Sequence, residues 1–305
     1  MQESTAQVDE VISAGEEKPV CRELKSDDLK IRGFSFNLRS KTLIMGVLNV
    51  TPDSFFDGGK YVEIDKALSH VDKMINDGAD IIDIGGESTR PGSHGVSERV
   101  ELERVIPAIK EAVKRFNVPV SIDTTKSKVA KVALEEGASM VNDISGLKFD
   151  PEIARIVAAY GAGLVIMHTP SHPIDMQNMT NYESIVHDII KSLSESVELA
   201  ESAGVSPYSI MVDPGIGFGK TTEQNLKLLK HLNEFLILRK PVLIGPSRKS
   251  FIGRIIGSDN LDDRLEGTSA TVAIAIMNGA SIIRVHDVRF MKRVAKIVDA
   301  IVNAR

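Results

Sequence analysis

The 305-residue sequence predicts an α/β protein built as a single (β/α)8 barrel, and three observations support this fold class. Eight short apolar runs, bounded by Gly, Pro, Asn or Asp, are typical of parallel strands that are buried on both faces. Longer amphipathic stretches with the helical period of 3.6 residues lie between these runs. Apolar residues make up 42% and charged residues 26% of the chain, which is the composition of a globular protein with a sizeable core.

The predicted strands and helices alternate along the chain. The strands are expected, in order, at residues 42–50, 79–86, 119–124, 140–145, 163–168, 210–215, 241–247 and 282–287. The clearest helical stretches are 64–78, 108–116, 129–137, 182–204, 261–279 and 290–304. Eight such units are the count of a TIM barrel, and an open doubly wound sheet is the alternative. We favour the closed barrel because eight regular units leave no residues for a second domain.

The domain organisation follows from where the apolar pattern begins. Residues 1–33 are polar, mildly acidic and without an apolar period, so we expect an N-terminal extension that is partly disordered. Residues 34–305 contain no linker rich in Gly, Ser or Pro. We expect them to form one catalytic TIM-barrel domain.

Composition excludes several classes of protein. Lys and Arg number 37 against 42 Asp and Glu, a formal charge of −5, which argues against nucleic acid as a partner. The single cysteine, Cys21, excludes an internal disulfide framework and a zinc cluster built on several cysteines. The chain has no apolar run of about 18 residues and no signal-peptide pattern at its start, so we expect a cytoplasmic protein without a membrane partner.

Polar side chains follow nearly every predicted strand, at the end of the barrel where active sites of this fold lie. One such residue alone would be a turn former or a helix cap, whereas eight converging ends predict a site. These residues are Asn49, Asp83 with Glu87, Asp123, Asn142 with Asp143, His168, Asp213, Ser247 to Lys249, and Arg284 with His286.

The chemistry of these side chains predicts a planar ring and an anion as ligands. Asp123 and Asp213 are suited to accept hydrogen bonds from a ring rich in N–H groups, and the Asn142 amide offers both a donor and an acceptor. Arg284 and His286 are two residues apart on one strand and therefore point to the same side. Together with Asn49 they indicate a phosphate site.

Two long loops follow predicted strands, and one segment resembles a P-loop. Residues 49–59 and 85–95 form long, polar, glycine-rich loops after strands, and we expect them to act as mobile lids. Residues 214–221 resemble a P-loop, but Pro214 stands where that motif requires glycine. We therefore predict no nucleotide-binding P-loop.

Seven sequence blocks carry a resemblance to the dihydropteroate synthase family of pterin-binding enzymes. The resemblance covers residues 43–288, and each block ends at a predicted strand end. The blocks are, in order, LIMGVLNVTPDSFFDGG, IIDIGGESTRPGS, VSIDTTKS, VNDISG, MVDPGIGFGKT, IGPSRKSF and RVHDV.

The resemblance implies a transferase of folate biosynthesis. In that family 6-hydroxymethyl-7,8-dihydropterin pyrophosphate condenses with p-aminobenzoate to give 7,8-dihydropteroate and pyrophosphate, with Mg²⁺ as cofactor. The family's subunits form homodimers, and sulfonamides compete for the p-aminobenzoate pocket. The chain is expected to share these properties.

The resemblance also implies which residues hold each substrate. Asp123, Asp213 and Lys249 are the implied catalytic residues, and they share the pterin pocket with Asn142, Met167 and Phe218. The pyrophosphate is implied to lie against Asn49, Thr89, Arg90, Arg284 and His286, with Asn49 also at the Mg²⁺ ion. The p-aminobenzoate is implied to lie near Phe56, Pro91, Phe218 and Ser250.

Three other functions are alternatives to this one. A pterin-binding methyltransferase barrel, which uses methyltetrahydrofolate, would keep the aspartates and Asn142 but has no use for TPDSF, STRPG or SRKS. An aldolase-type lyase would use Lys249 to form a Schiff base with its substrate. The neighbouring Arg248 is consistent with this alternative, because its charge favours a lowered pKa of the lysine. A binding module without catalysis would not need the residues on the phosphate side.

Overall fold

The computed structural model describes residues 28–39, 41–51 and 60–304, except for the side chains of residues 60–63. Within these residues a closed barrel of eight parallel strands forms the centre of the molecule. This confirms the predicted fold class. Phe56 and Cys21 lie outside the described residues.

The barrel strands correspond one for one to the eight predicted apolar runs. In the closed order, the last strand pairs with the first, and each of the others pairs with its neighbours in sequence. The barrel strands are β3 (Leu43–Asn49), β4 (Ile81–Gly85), β5 (Val120–Asp123), β6 (Met140–Asp143), β7 (Gly163–Met167), β8 (Ile210–Asp213), β9 (Val242–Ile244) and β10 (Ala280–Val285).

The helices form the outer layer that covers the strands. Three of the nine α-helices seen in the described residues, α4, α6 and α7, lie outside the six clearest helical stretches given above. The helices are α1 (Lys60–Asn76), α2 (Glu98–Arg115), α3 (Ser127–Glu135), α4 (Glu152–Tyr160), α5 (Ile185–Ser202), α6 (Thr222–Lys230), α7 (Ser250–Ile256), α8 (Arg264–Met277) and α9 (Val288–Val302).

A β-hairpin precedes the barrel and covers its amino-terminal end. Its strands, β1 (Asp28–Ile31) and β2 (Phe34–Asn37), pair antiparallel. Leu29 and Ile31 are buried in the same apolar cluster as the barrel residues Leu43 and Ile81, which open their strands. The expected boundary between residues 33 and 34 therefore falls in the turn of this hairpin, and residues 28–33 pack with the barrel because their apolar side chains close its floor.

The barrel interior changes from apolar to charged along its axis. Near the floor the inward side chains include Met45, Met140 and Met211. Towards the carboxyl ends of the strands, the buried side chains include Asp83 and Asp123. A fold of this kind places its ionisable groups at one mouth, where we find the candidate site.

No helix of the described residues has the length and apolar character needed to cross a bilayer.

Candidate active site

A buried network of two carboxylates, a guanidinium and an amide lies at the carboxyl ends of four strands. Arg284 Nε donates to Asp83 Oδ2 at 2.7 Å, and Arg284 Nη2 donates to Asp123 Oδ2 at 2.6 Å. Asn142 Nδ2 donates to the same Asp83 oxygen at 3.2 Å. Asp83 is fully buried, and its other oxygen, Oδ1, has no hydrogen-bond partner within the described part of the chain. The guanidinium therefore joins strands β4, β5 and β10 across the mouth.

Burial raises the pKa of Asp123, the Arg284 charge opposes this rise, and the Asp83 charge adds to it. The same two carboxylates raise the pKa of Arg284 although burial alone would lower it. Arg284 thus stays cationic, but its charge offsets only part of the effect of burial, and the pKa of Asp123 is raised to about 7. The Asp123 oxygen that Arg284 does not bond is available to a ligand in the mouth.

A third buried carboxylate, Asp213, ends strand β8 beside Met167 of strand β7. Its Oδ1 accepts a hydrogen bond from the Gly215 N–H at 2.7 Å. Burial raises the pKa of Asp213 to about 6, an effect that the Gly215 N–H and the Lys249 ammonium oppose. The structure therefore brings Asp213 and Lys249 into electrostatic contact, as expected for residues of one pocket.

Lys249 forms the opposite wall with Phe218. Its Nζ lies 4.1 Å from the centroid of the Phe218 ring, within the range of a cation–π contact. Burial and the nearby Arg284 charge lower the pKa of Lys249 to about 8, and Asp213 opposes this shift. Phe218 packs with Met167 in a small apolar cluster next to the charged network.

The loop that carries Phe218 is shaped by glycines. Gly215 has φ +73°, and a Cβ there would lie 1.9 Å from the His168 carbonyl oxygen, so no other residue fits. Gly217 has φ +84°, and its Cβ would meet the Lys249 side chain at 2.9 Å. Lys220 Nζ holds the end of the loop by donating to the Phe218 carbonyl at 2.8 Å. The segment that resembled a P-loop is thus a fixed wall of the pocket.

The structure separates Arg284, on strand β10, from His286, just after it, although the two were expected to share a phosphate. Arg284 turns to the carboxylates, whereas His286 packs against Ser247. Ser247 Oγ accepts the His286 backbone N–H at 3.2 Å and lies 3.0 Å from Nδ1. Burial and the Arg284 charge lower the pKa of His286 to about 4, so the ring is neutral near pH 7. A Ser247 hydroxyl that donates to Nδ1 selects the tautomer with the proton on Nε2, which can then donate to a ligand.

The remaining predicted phosphate residues lie on the rim. Asn49 ends strand β3 opposite Gly85 and is half-buried. Thr89 and the exposed Arg90 lie in the loop between β4 and α2. Ser93 Oγ donates to the Arg90 carbonyl at 2.7 Å and so closes a turn around Pro91. These residues surround the mouth, and no contact among them holds a preformed anion site.

The two cations of the SRKS segment have different contacts, because Arg248 bonds Asp287 and Lys249 lies over Phe218. Arg248 donates to both Asp287 carboxylate oxygens at 2.8 Å, so its fork is occupied within the protein. Its φ of +56° turns the chain so that Lys249 follows with an extended backbone and α7 begins at Ser250. Ser250 is exposed at this helix start, and Pro91 is exposed on the lid. Of the predicted p-aminobenzoate residues, Phe56 lies outside the described residues.

The sequence profile of pterin binding enzymes matches residues 45–286. Dihydropteroate synthase of Bacillus subtilis is 48% identical over 269 residues, which are 88% of this chain and 92% of that protein. The chain belongs to the dihydropteroate synthase family. A Clostridium difficile dihydropteroate synthase structure, determined in the presence of pteroic acid, superposes with a TM-score of 0.82 at 46% identity and covers 87% of this chain and 98% of its own. The Xanthomonas albilineans structure with 4-aminobenzoic acid reaches 0.85 at 37% identity, covering 92% and 100%.

The sequence analysis did not predict the roles of three residues in or next to the mouth of this family member. Asp83 was noted only as a strand end, although an acidic residue inside the run IIDIG is itself a signal, since a buried carboxylate needs a partner. Lys220 was considered only as part of a P-loop. Lys126 follows strand β5 by three residues and gave no signal, because its partners are distant in sequence.

Proposed function

We propose that this chain catalyses the reaction of its family, the condensation of 6-hydroxymethyl-7,8-dihydropterin pyrophosphate with p-aminobenzoate. The proposal rests on one observation. Two buried carboxylates, Asp123 and Asp213, and the buried Asn142 amide lie at the carboxyl ends of strands of one barrel. Carboxylates accept the N–H groups of a pterin edge, and the amide reads its mixed donor and acceptor pattern. Phe218 and Met167 supply the apolar surface that a flat ring requires.

We infer the following course of reaction. The C–O bond between the pterin methylene and pyrophosphate breaks, and the positive charge that develops on the methylene and ring is stabilised by Asp123 and Asp213. The departing pyrophosphate oxygens accept hydrogen bonds from Arg90, from Lys249 and from the Nε2–H of His286. The p-aminobenzoate nitrogen then forms the new C–N bond and releases a proton. No covalent enzyme intermediate forms, so a pterin–enzyme adduct on the path would contradict this course.

Mg²⁺ fits this mouth as a companion of the substrate. No group of three or more His, Cys, Asp or Glu side chains in the described ranges is arranged to hold a metal ion. Asn49 offers an amide oxygen at the rim, the hard ligand type that Mg²⁺ takes together with substrate phosphates. When bound, the ion would neutralise charge on the leaving pyrophosphate.

Release of pyrophosphate is the direct test of the proposed function. It should require p-aminobenzoate and Mg²⁺ together, and mass spectrometry should identify 7,8-dihydropteroate as the product. Transfer of a methyl group from methyltetrahydrofolate, with no pyrophosphate released, would instead support the methyltransferase barrel. Borohydride trapping of Lys249 with a carbonyl substrate would support the lyase.

The pH dependence of kcat/KM for the pterin substrate should be bell-shaped. As the pH falls, Asp123 takes up a proton near pH 7 and Asp213 near pH 6, and above about pH 8 Lys249 loses its charge. Initial rates between pH 5 and 9.5 check this. Lys249→Arg should remove the alkaline limb alone, because a guanidinium stays charged. An unchanged alkaline limb in that variant would show that another group causes it.

We further propose that two copies of the chain associate through helices α8 and α9. These helices pack on each other, and their outer faces expose large apolar side chains: Ile274 is 51% exposed, Phe290 52%, Ile297 64% and Ile301 59%. Spacings of seven and eleven residues place the last three on one helical face. A contiguous exposed apolar face of this kind is typical of an interface.

Sedimentation of the parent protein at micromolar concentration should show a dimer, and Ile297→Glu should show a monomer, because a buried charge without a partner opposes association. Leu199→Glu, at a comparably exposed position on α5, is the matched control and should remain dimeric. A monomeric parent would refute the proposed dimer. The cytoplasmic location expected from sequence stays a prediction.

A further inference from the structure

A compact charged cluster lies behind the lid loop, outside the mouth just described. Lys126 Nζ lies 2.5 Å from Glu87 Oε2 and 2.5 Å from Glu101 Oε2. Glu101 is almost fully buried, with its side chain 1% exposed, while Lys126 and Glu87 are 22% and 17% exposed. The Lys126 ammonium therefore forms ion pairs with two carboxylates at a largely buried position.

The cluster connects both ends of the β4–α2 loop. Glu87 stands at the start of this loop, and its Oε2 also accepts the N–H of Val96, at the loop's end, at 3.0 Å. Glu101 lies in the first turns of α2, which the loop leads into. Nearby, Arg104 Nη1 donates to the Gly86 carbonyl at 2.7 Å. The loop is thus closed into a ring at its base.

Lys126 ties this ring to the strand that carries a pocket carboxylate. It lies three residues after Asp123, and its own N–H donates to Thr124 Oγ1 at 3.2 Å, which fixes the backbone there. The ion pair between the Lys126 ammonium and the Glu87 carboxylate therefore connects the end of the Asp123 strand to the loop that carries Thr89, Arg90 and Pro91.

We propose that Lys126, acting through Glu87, is a positioning residue that fixes the lid bearing Thr89, Arg90 and Pro91 relative to Asp123. The inference rests on the proposed function, since its consequence is the placing of p-aminobenzoate and pyrophosphate. Without the ammonium, Glu87 and Glu101 would face each other as two unpaired carboxylates and repel. Glu87 would move into solvent, and the base of the lid would open.

The test compares Lys126→Met, Lys126→Arg and Glu87→Gln with the parent. We expect Lys126→Met to raise the KM for p-aminobenzoate about tenfold, with a smaller change in kcat, because misplacement of a substrate-binding loop weakens its contacts. Amide hydrogen exchange across residues 88–96 should rise in the same variant while the barrel strands keep their protection. Lys126→Arg, which restores the cation, should return both measurements towards parent values.

Lys128→Met is the matched control, because Lys128 is 66% exposed and its ion pair with Glu98 lies on the surface. It should leave KM and exchange unchanged. If Lys126→Met does not fold, Glu87→Gln decides, since it leaves Lys126 paired with Glu101. Parent-like KM for p-aminobenzoate in the folded variants, with or without faster exchange, would overturn the positioning role. A parent that releases no pyrophosphate would refute the proposed function instead, and the exchange comparison would still test whether Lys126 anchors the lid.

Discussion

Arg284→Ala should lower kcat/KM by about 1,000-fold, because one residue performs two tasks in the mouth. Its guanidinium bonds both Asp83 and Asp123, and its charge opposes the rise in the pKa of Asp123 that burial causes. The alanine variant leaves Asp83 buried with no counter-charge, a change that typically costs about 3 kcal/mol or more of the free energy of unfolding. Steady-state kinetics and urea unfolding measure the two effects separately.

Two comparison variants separate these effects of Arg284. Arg284→Lys keeps a positive charge but cannot bond Asp83 and Asp123 together, so it should recover stability more than activity. Arg155→Ala removes a 75% exposed arginine from a surface ion pair with Glu152 and should change neither measurement. Parent-like kcat/KM in a folded Arg284→Ala protein would remove Arg284 from the site.

Asp213→Asn should lower kcat/KM for the pterin substrate by about 100-fold. The amide has nearly the same shape, and its oxygen can still accept the Gly215 N–H, so the turn after β8 should persist. The negative charge that faces the pterin ring and Lys249 is lost. Because the residues proposed to hold p-aminobenzoate do not include Asp213, the KM for p-aminobenzoate should stay within about twofold of the parent value. Initial rates with each substrate varied in turn measure this split.

Asp65→Asn, at an exposed position on α1, is the control for removing one acidic charge and should behave as the parent. If the two KM values of Asp213→Asn rose equally, Asp213 would be shaping the whole mouth rather than recognising the pterin. That result would contradict its assigned role.

The barrel strands were predictable because both of their faces are buried. Ile82 and Ile84 face the helices and Ile81 faces the barrel interior, so the run is apolar apart from Asp83 and stands out from its surroundings. The start of α2 was not predictable in the same way. The expected helix began at residue 108, just after Pro107, whereas α2 begins at Glu98 and carries Pro107 within it. Its charged first turns hide the apolar period.

The positions of the site residues were predictable, but their partners were not. A strand-end rule alone places Asp123, Asn142, Asp213 and Arg284 at one mouth. The rule does not predict that the Arg284 side chain bonds Asp83 and Asp123 instead of lying beside His286. That choice depends on the burial of Asp83, whose charge requires a partner. The Lys126 cluster likewise joins residues 25 and 39 positions apart.

The hairpin at the barrel floor sets the direction in which the chain enters the fold. Asp28 lies at the end of the barrel opposite the charged mouth, since Leu29 and Ile31 pack with the residues that open the strands. A purification tag or surface linker joined ahead of Asp28 would therefore enter from the far side of the molecule. Attached to a solid support in this way, the protein would present its substrate entrance to the solution.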